Sequence, residues 1–111
     1  MINANLEQFL DTGWFNEATL YLNGYTYWCE GNWDSKKEKP MHFFVRKYPS
    51  EVVRDIYTKR IDNGKDDEVV FDMWGYGEDD VKAEFLKAKI FEGKSFWEVE
   101  SVIAWYDETY I

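Results

Sequence analysis

The residues with the most latent chemistry in this chain are its single histidine, His42, and its single cysteine, Cys29. An imidazole titrates near neutrality and acts as a general base when an acid orients it and a nucleophile lies within reach. Nothing close to His42 in sequence completes such a set, so a structural histidine on a strand is expected. A thiol is reactive only as thiolate, and Cys29 falls on the apolar side of an alternating segment, where burial keeps it protonated and inert. One histidine and one cysteine are too few nitrogen and sulfur ligands for zinc. Asp66, Asp67, Glu68 and Asp72 offer oxygens to a hard cation but lack the glycine and closing glutamate of a calcium loop, so solvated charge is the expectation. Glu92-Gly93-Lys94, preceded by Asp72 or Asp79, mimics the acid and acid-X-lysine text of metal-dependent nucleases. At a helix end, however, the backbone would not aim both side chains at one metal. Gly75 and Gly77 precede a helix, but the three acids that follow repel phosphate. Neither a catalytic residue nor a metal or other cofactor is therefore expected.

Two binding signals are stronger than any catalytic one. The first is a set of aromatics that a core does not obviously require: Tyr21 and Trp28 on one sheet face, Trp33 in a loop, and Phe44 and Tyr48 beside Arg46 and Lys47. Aromatics interleaved with cations on a sheet can stack single-stranded bases, and Tyr21, Trp28, Phe44 and Arg46 form the candidate ligand face of that reading. Helices on both sides of the sheet would equally account for all of them. The second is a C-terminal surface on which Trp97 and Trp105 stand among Glu98, Glu100 and Glu108, with Glu78, Asp79 and Asp80 at the start of the preceding helix. Tryptophan anchors interfaces, and carboxylates around it steer a basic partner. The competing reading packs these tryptophans against the N-terminal helix or a second copy of the chain, a homodimer.

The elements that would position these residues follow from periodicity and punctuation. Asn3 or Asn5 caps a short helix, 5–11, with Leu6, Phe9 and Leu10 on one face, and Gly13 stands where a helix end wants positive φ. Asn23-Gly24 between two alternating runs signals a hairpin over 17–30 closed by a type I′ turn. Its register sets Leu22 against Tyr25, Leu20 against Tyr27 and Ala18 against Cys29. Residues 31–40 read as a polar loop ending at Pro40. A strand, 41–48, puts Met41, Phe43 and Val45 on one side and His42, Phe44, Arg46 and Tyr48 on the other. Ser50 caps a helix over 50–61 with Val52, Val53, Ile56, Tyr57 and Ile61 inward, closed by Asn63-Gly64. A strand at 68–74 follows. That strand, helix and strand allow a right-handed parallel crossover, hence a mixed rather than purely antiparallel sheet. The helix at 78–91 has two apolar stripes, Val81, Phe85 and Ala88 against Ala83, Leu86 and Ile90, the pattern of a sandwiched helix. A capping box, Ser95 with Glu98, opens a last helix, 95–108, with Phe96, Val99, Val102, Ile103 and Tyr106 inward. The fold class is α+β, a single domain with about four strands in an antiparallel or mixed sheet.

Composition bounds the rest. A chain of 111 residues, 45% apolar and 20% aromatic, suits one folded domain rather than disorder. No run is long enough to span a membrane, the start MINANLEQFL lacks the features of a secretory signal, and a lone cysteine suits a reducing, cytoplasmic setting. The net charge of −9 is uneven: residues 1–60 carry eight acids and eight bases, residues 61–111 fourteen acids and five bases. That field disfavours duplex DNA and favours a basic partner. In size, acidity and aromatic content the chain resembles immunity proteins and phage-borne anti-defence inhibitors. The expected function is a protein-binding module that inhibits a basic nucleic-acid-acting protein, such as a nucleic-acid-binding enzyme. The alternative is a binder of single-stranded nucleic acid or a small ligand on the aromatic sheet face.

Overall fold

The computed structural model describes residues 1–2, 5–49 and 68–106. Its centre is a hairpin. At Asn23 and Gly24 φ is +51° and +81°, the paired left-handed conformations of a type I′ turn, and they join β1 (Ala18–Leu22) to β2 (Tyr25–Trp33). The register is the expected one, with Leu22 opposite Tyr25, Leu20 opposite Tyr27 and Ala18 opposite Cys29. β3 (Met41–Pro49) and β4 (Glu68–Gly75) extend the sheet on one side, and β5 (Ala104–Tyr106) closes the other. The strand order is β4-β3-β2-β1-β5 and every pairing is antiparallel. β3 and β4 are direct neighbours, so no parallel crossover links them and the sheet is not mixed.

Period-two alternation makes one face of the sheet apolar: Ala18, Leu20, Tyr27, Cys29, Met41, Phe43 and Val45 are buried there. The described helices bury their own apolar stripes against it. α1 (Leu6–Asp11), capped by the Asn5 side chain on the amide of Gln8, contributes Phe9. A single 3-10 turn (Gly13–Phe15) contributes Trp14. α2 (Glu78–Lys87) contributes Val81 and Phe85, and the one-turn α3 (Phe96–Val99) contributes Phe96 and Val99. Phe85 is the hub, with ring centroids of Phe43 at 5.0 Å, Phe71 at 6.0 Å, Trp14 at 6.1 Å, and Phe91 and Phe96 each at 6.4 Å. Edge and offset ring contacts of this kind add to simple area burial.

Several expectations are corrected. The last helix does not run over 95–108. Its capping box forms, but helix ends after Val99, and Ala104–Tyr106 become a strand paired with β1. Val102, Ile103, Trp105 and Tyr106 are β-branched or aromatic residues that suit strands, and the open edge of β1 supplies the backbone partners that decide it. Val102, expected inward, is exposed. The helix at 78–91 stops at Lys87, and Phe91 and Lys94 then bridge a tight turn at Glu92-Gly93. It is not sandwiched, since Ala83 on its second stripe is exposed. Trp33 lies at the end of β2 rather than in a loop, which begins at Asp34. Gly13 has no positive φ; a Cβ there would stand 2.6 Å from the Trp105 ring, so close approach is what requires glycine. The helix expected at 50–61, with Ser50 and Asn63-Gly64, lies outside the described residues, as do Asn3, Asp66, Asp67 and Glu108.

Candidate functional site

Alternation along β1 decides the fate of the C-terminal tryptophans. β5 runs beside β1 with Trp105 opposite Leu20, which turns the Trp105 ring to the apolar side of the sheet. There it meets Phe9 edge-on, with ring centroids 5.4 Å apart. Trp105 is thus a core-packing residue against the N-terminal helix and not a surface anchor. Trp97 does face outward, 53% exposed, its ring edge-on to Phe96. The carboxylates expected around it have local tasks. Glu98 accepts from the Ser95 amide at 3.1 Å while the Ser95 hydroxyl accepts from the Glu98 amide at 3.4 Å, and this contact holds the Glu98 carboxyl below its ordinary range. Glu100 pairs with the N-terminal ammonium of Met1.

Glu78, Asp79 and Asp80 gather elsewhere. They form the first turn of α2, where their charge complements the helix dipole, and Gly77 caps that turn without a side-chain bond. With Gly77, Trp33 and Tyr76 they line an open groove of about 500 Å³. β4 delivers Tyr76 just past its end, and β2 delivers Trp33 from its last position, opposite Met41. The two rings are 59% and 56% exposed. A second groove of similar volume, about 520 Å³, lies along α1, lined by Asn5, Glu7, Gln8 and Asp11. It is acidic but has no aromatic ring.

Cations of the chain's own already sit on rings near the first groove. Lys39 Nζ lies 5.4 Å from the Tyr76 ring centre and Lys37 Nζ 4.8 Å from that of Trp74. These are cation–π distances. The Tyr76 hydroxyl donates to Glu38 Oε1 at 3.5 Å.

The opposite face of the sheet carries the other candidate set. Cross-strand rows place Trp28 between Thr19 and Arg46, Tyr21 opposite Thr26, and Phe44 between Glu30 and Asp72. The Arg46 guanidinium lies 5.4 Å from the Phe44 ring centre. Tyr21, Trp28 and Phe44 are half-buried and Arg46 is exposed. Glu30 and Asp72 on the same row as Phe44 oppose phosphate on this face. The pairing also supplies what sequence proximity does not: His42 Nε2 is 2.7 Å from Asp72 Oδ1, and its ring stacks on Trp74 at 4.3 Å and 3°. The register of β3 on β4 creates that contact across thirty positions. The residues directly opposite His42, Asn32 and Trp74, bring neither hydroxyl nor thiol, so an oriented imidazole stands without a nucleophile among its register neighbours. Cys29 is fully buried beside Val45, and desolvation pushes its thiol well above the ordinary range.

Among the described residues no cluster of three or more His, Cys, Asp or Glu side chains could hold a metal ion, and no helix is long and apolar enough to cross a membrane. From sequence alone Trp33 counts among the surplus aromatics and Glu78, Asp79 and Asp80 group with Trp97. Tyr76 is not singled out by sequence, where its signal is an aromatic between two glycines ahead of an acidic helix start. No family model matches the chain, and neither a curated protein nor a solved structure shows a significant likeness to it.

Proposed function

We propose that this protein acts by binding a basic protein partner through the groove of Trp33, Tyr76, Glu78, Asp79 and Asp80. The observation that carries the reading is the conjunction of two exposed aromatic rings with three carboxylates around one concavity of about 500 Å³. Tryptophan and tyrosine supply apolar area and π faces at low conformational cost. The carboxylates steer and orient lysine or arginine side chains of the partner. Acids arrayed in this way stand in for phosphates. A natural target is therefore a basic nucleic-acid-acting protein, inhibited by occupation of its phosphate-binding surface. Binding rather than catalysis is the activity proposed, in a cytoplasmic setting.

The test is titration with decalysine, followed by tryptophan fluorescence at low and physiological salt. Binding should weaken as salt rises. It should fall at least tenfold in the Trp33→Ala/Tyr76→Ala double variant, the loss expected of two interface anchors, each worth about 1 kcal/mol or more. The control is Glu7→Gln/Asp11→Asn in the aromatic-free groove, which should change affinity less than about twofold, as for rim charges. Equal losses in the two variants, or no binding at low salt, would overturn the proposal.

A further inference from the structure

We propose that the groove prefers arginine to lysine, taking the guanidinium flat on the Trp33 ring with its N–H groups turned to the carboxylates of Glu78, Asp79 and Asp80. This preference presupposes the basic partner proposed above and names the side chain by which that partner enters the groove.

Both kinds of contact are open. Trp33 is 56% exposed at the last position of β2, and among the described residues no ring or cation lies against it. Trp74 and Tyr76, by contrast, carry Lys37 and Lys39, and Trp74 also stacks on His42. The carboxylates lack an internal cation too. Lys82 stands one turn along α2 from Glu78, the spacing at which such residues ordinarily pair, but its Nζ donates to the Leu10 carbonyl at 3.0 Å. The pair that α2 does make, Lys87 with Glu84 at 2.8 Å, lies at its other end. Among the described residues no ion pair reaches Glu78, Asp79 or Asp80, and all three are exposed. A Cβ added at Gly77 would meet nothing within 4 Å, so the chain leaves room at the helix start. The groove of about 500 Å³ is large enough for a guanidinium and its stem.

These two openings fit one side chain better than the other. An ammonium is compact and strongly hydrated, so it gives up water to sit on a ring. A guanidinium is planar, weakly hydrated and carries five donors in a fixed fork, so it stacks on an indole while its edge still bonds carboxylates. A groove lined by a free indole and three free carboxylates satisfies both parts of a guanidinium at once. The positive end of α2, equivalent to about half a charge, is outweighed by the three carboxylates, so the field there still attracts a cation.

Decaarginine and decalysine have equal length and charge, which separates stacking from net electrostatics. Their affinities should be compared by calorimetric titration at one ionic strength, for the unaltered chain and for Trp33→Leu, which keeps apolar bulk and removes the π face. The unaltered chain should favour decaarginine, and that preference should shrink about two- to fivefold in Trp33→Leu, the factor expected for one exposed cation–π contact. Equal affinity of the two peptides for the unaltered chain, or the same preference in Trp33→Leu, would overturn arginine selection and leave the groove as a site for cations in general. Binding of neither peptide by the unaltered chain would overturn the groove and the selection together. A second readout needs no variant: at saturation, arginine δ protons should show nuclear Overhauser contacts to the Trp33 ring. Saturation without those contacts would also overturn the selection.

Discussion

The rings around Phe85 and the rings at the Trp33 end of the sheet are the same chemistry in opposite surroundings. Phe85 is fully buried with five aromatic neighbours, so its ring faces and edges are met by other rings. Trp33 and Tyr76 are more than half exposed, and the groups at their groove are carboxylates, with a lysine on the Tyr76 face. One set is consumed by folding, whereas the other stays open to solvent and, in the function proposed, to a partner. An aromatic content of 20% is therefore two populations, and only position tells them apart.

Substitutions should pull the two populations apart. The largest effect on stability is expected at the hub, where Phe85→Ala removes the shared ring contact and should cost about 3–5 kcal/mol in urea unfolding. Gly13→Ala comes next. Its methyl would press on the Trp105 ring, itself held against Phe9, and should destabilise by about 1–3 kcal/mol. A near-neutral result there would show that Trp105 is free to move outward.

Tyr27 is an interior ring with a polar tip: its hydroxyl is buried without a hydrogen-bond partner among the described residues, and burial pushes its pKa up to about 12. The unfolded phenol ionises near 10 while the folded one holds its proton until about 12. Stability should therefore fall as pH rises through that window, by about 1.4 kcal/mol per unit. Tyr27→Phe should remove this part of the alkaline slope. Near pH 7 it should change stability by no more than about 1 kcal/mol, since the lost hydroxyl makes no bond. An unchanged alkaline slope would show that the phenol is not desolvated. The smallest stability effect belongs to Trp33→Ala/Tyr76→Ala, within about 0.5 kcal/mol for each site, although it is the change expected to weaken binding at least tenfold. A large loss of stability in that variant would merge the two populations and remove the basis for the groove.

Elements specified by local chemistry were readable in advance. The hairpin turn needs positive φ at two successive residues, and Asn23-Gly24 is the dipeptide that adopts it cheaply, so register followed from sequence alone. The Asn5 cap and the Ser95–Glu98 capping box are equally local, each closed within four residues. Local sequence does not decide an element where helical and strand preferences are nearly balanced. Phe96, Val99, Val102, Ile103 and Tyr106 satisfy helical spacing, and the same segment is rich enough in β-branched and aromatic residues to make a strand. The unpaired edge of β1 tipped it to β5, and that one decision turned Trp105 onto the core, where it packs half-buried against Phe9.

The site shows the same division. Charge asymmetry and the acidic start of α2 stand in the sequence, because like charges in a helix's first turn need no tertiary partner to be recognised. That those acids meet Trp33 and Tyr76 rather than Trp97 depends on where β2 and β4 end relative to one another, and so does the pairing of His42 with Asp72 across β3 and β4. Short-range chemistry thus determined the turns, the caps, the alternating faces and the sign of the field. Only the tertiary structure decided which tryptophan packs against the core and which ring shares a groove with which carboxylate. Those outcomes depend on backbone pairing between segments far apart in the chain, whose energy no local window contains.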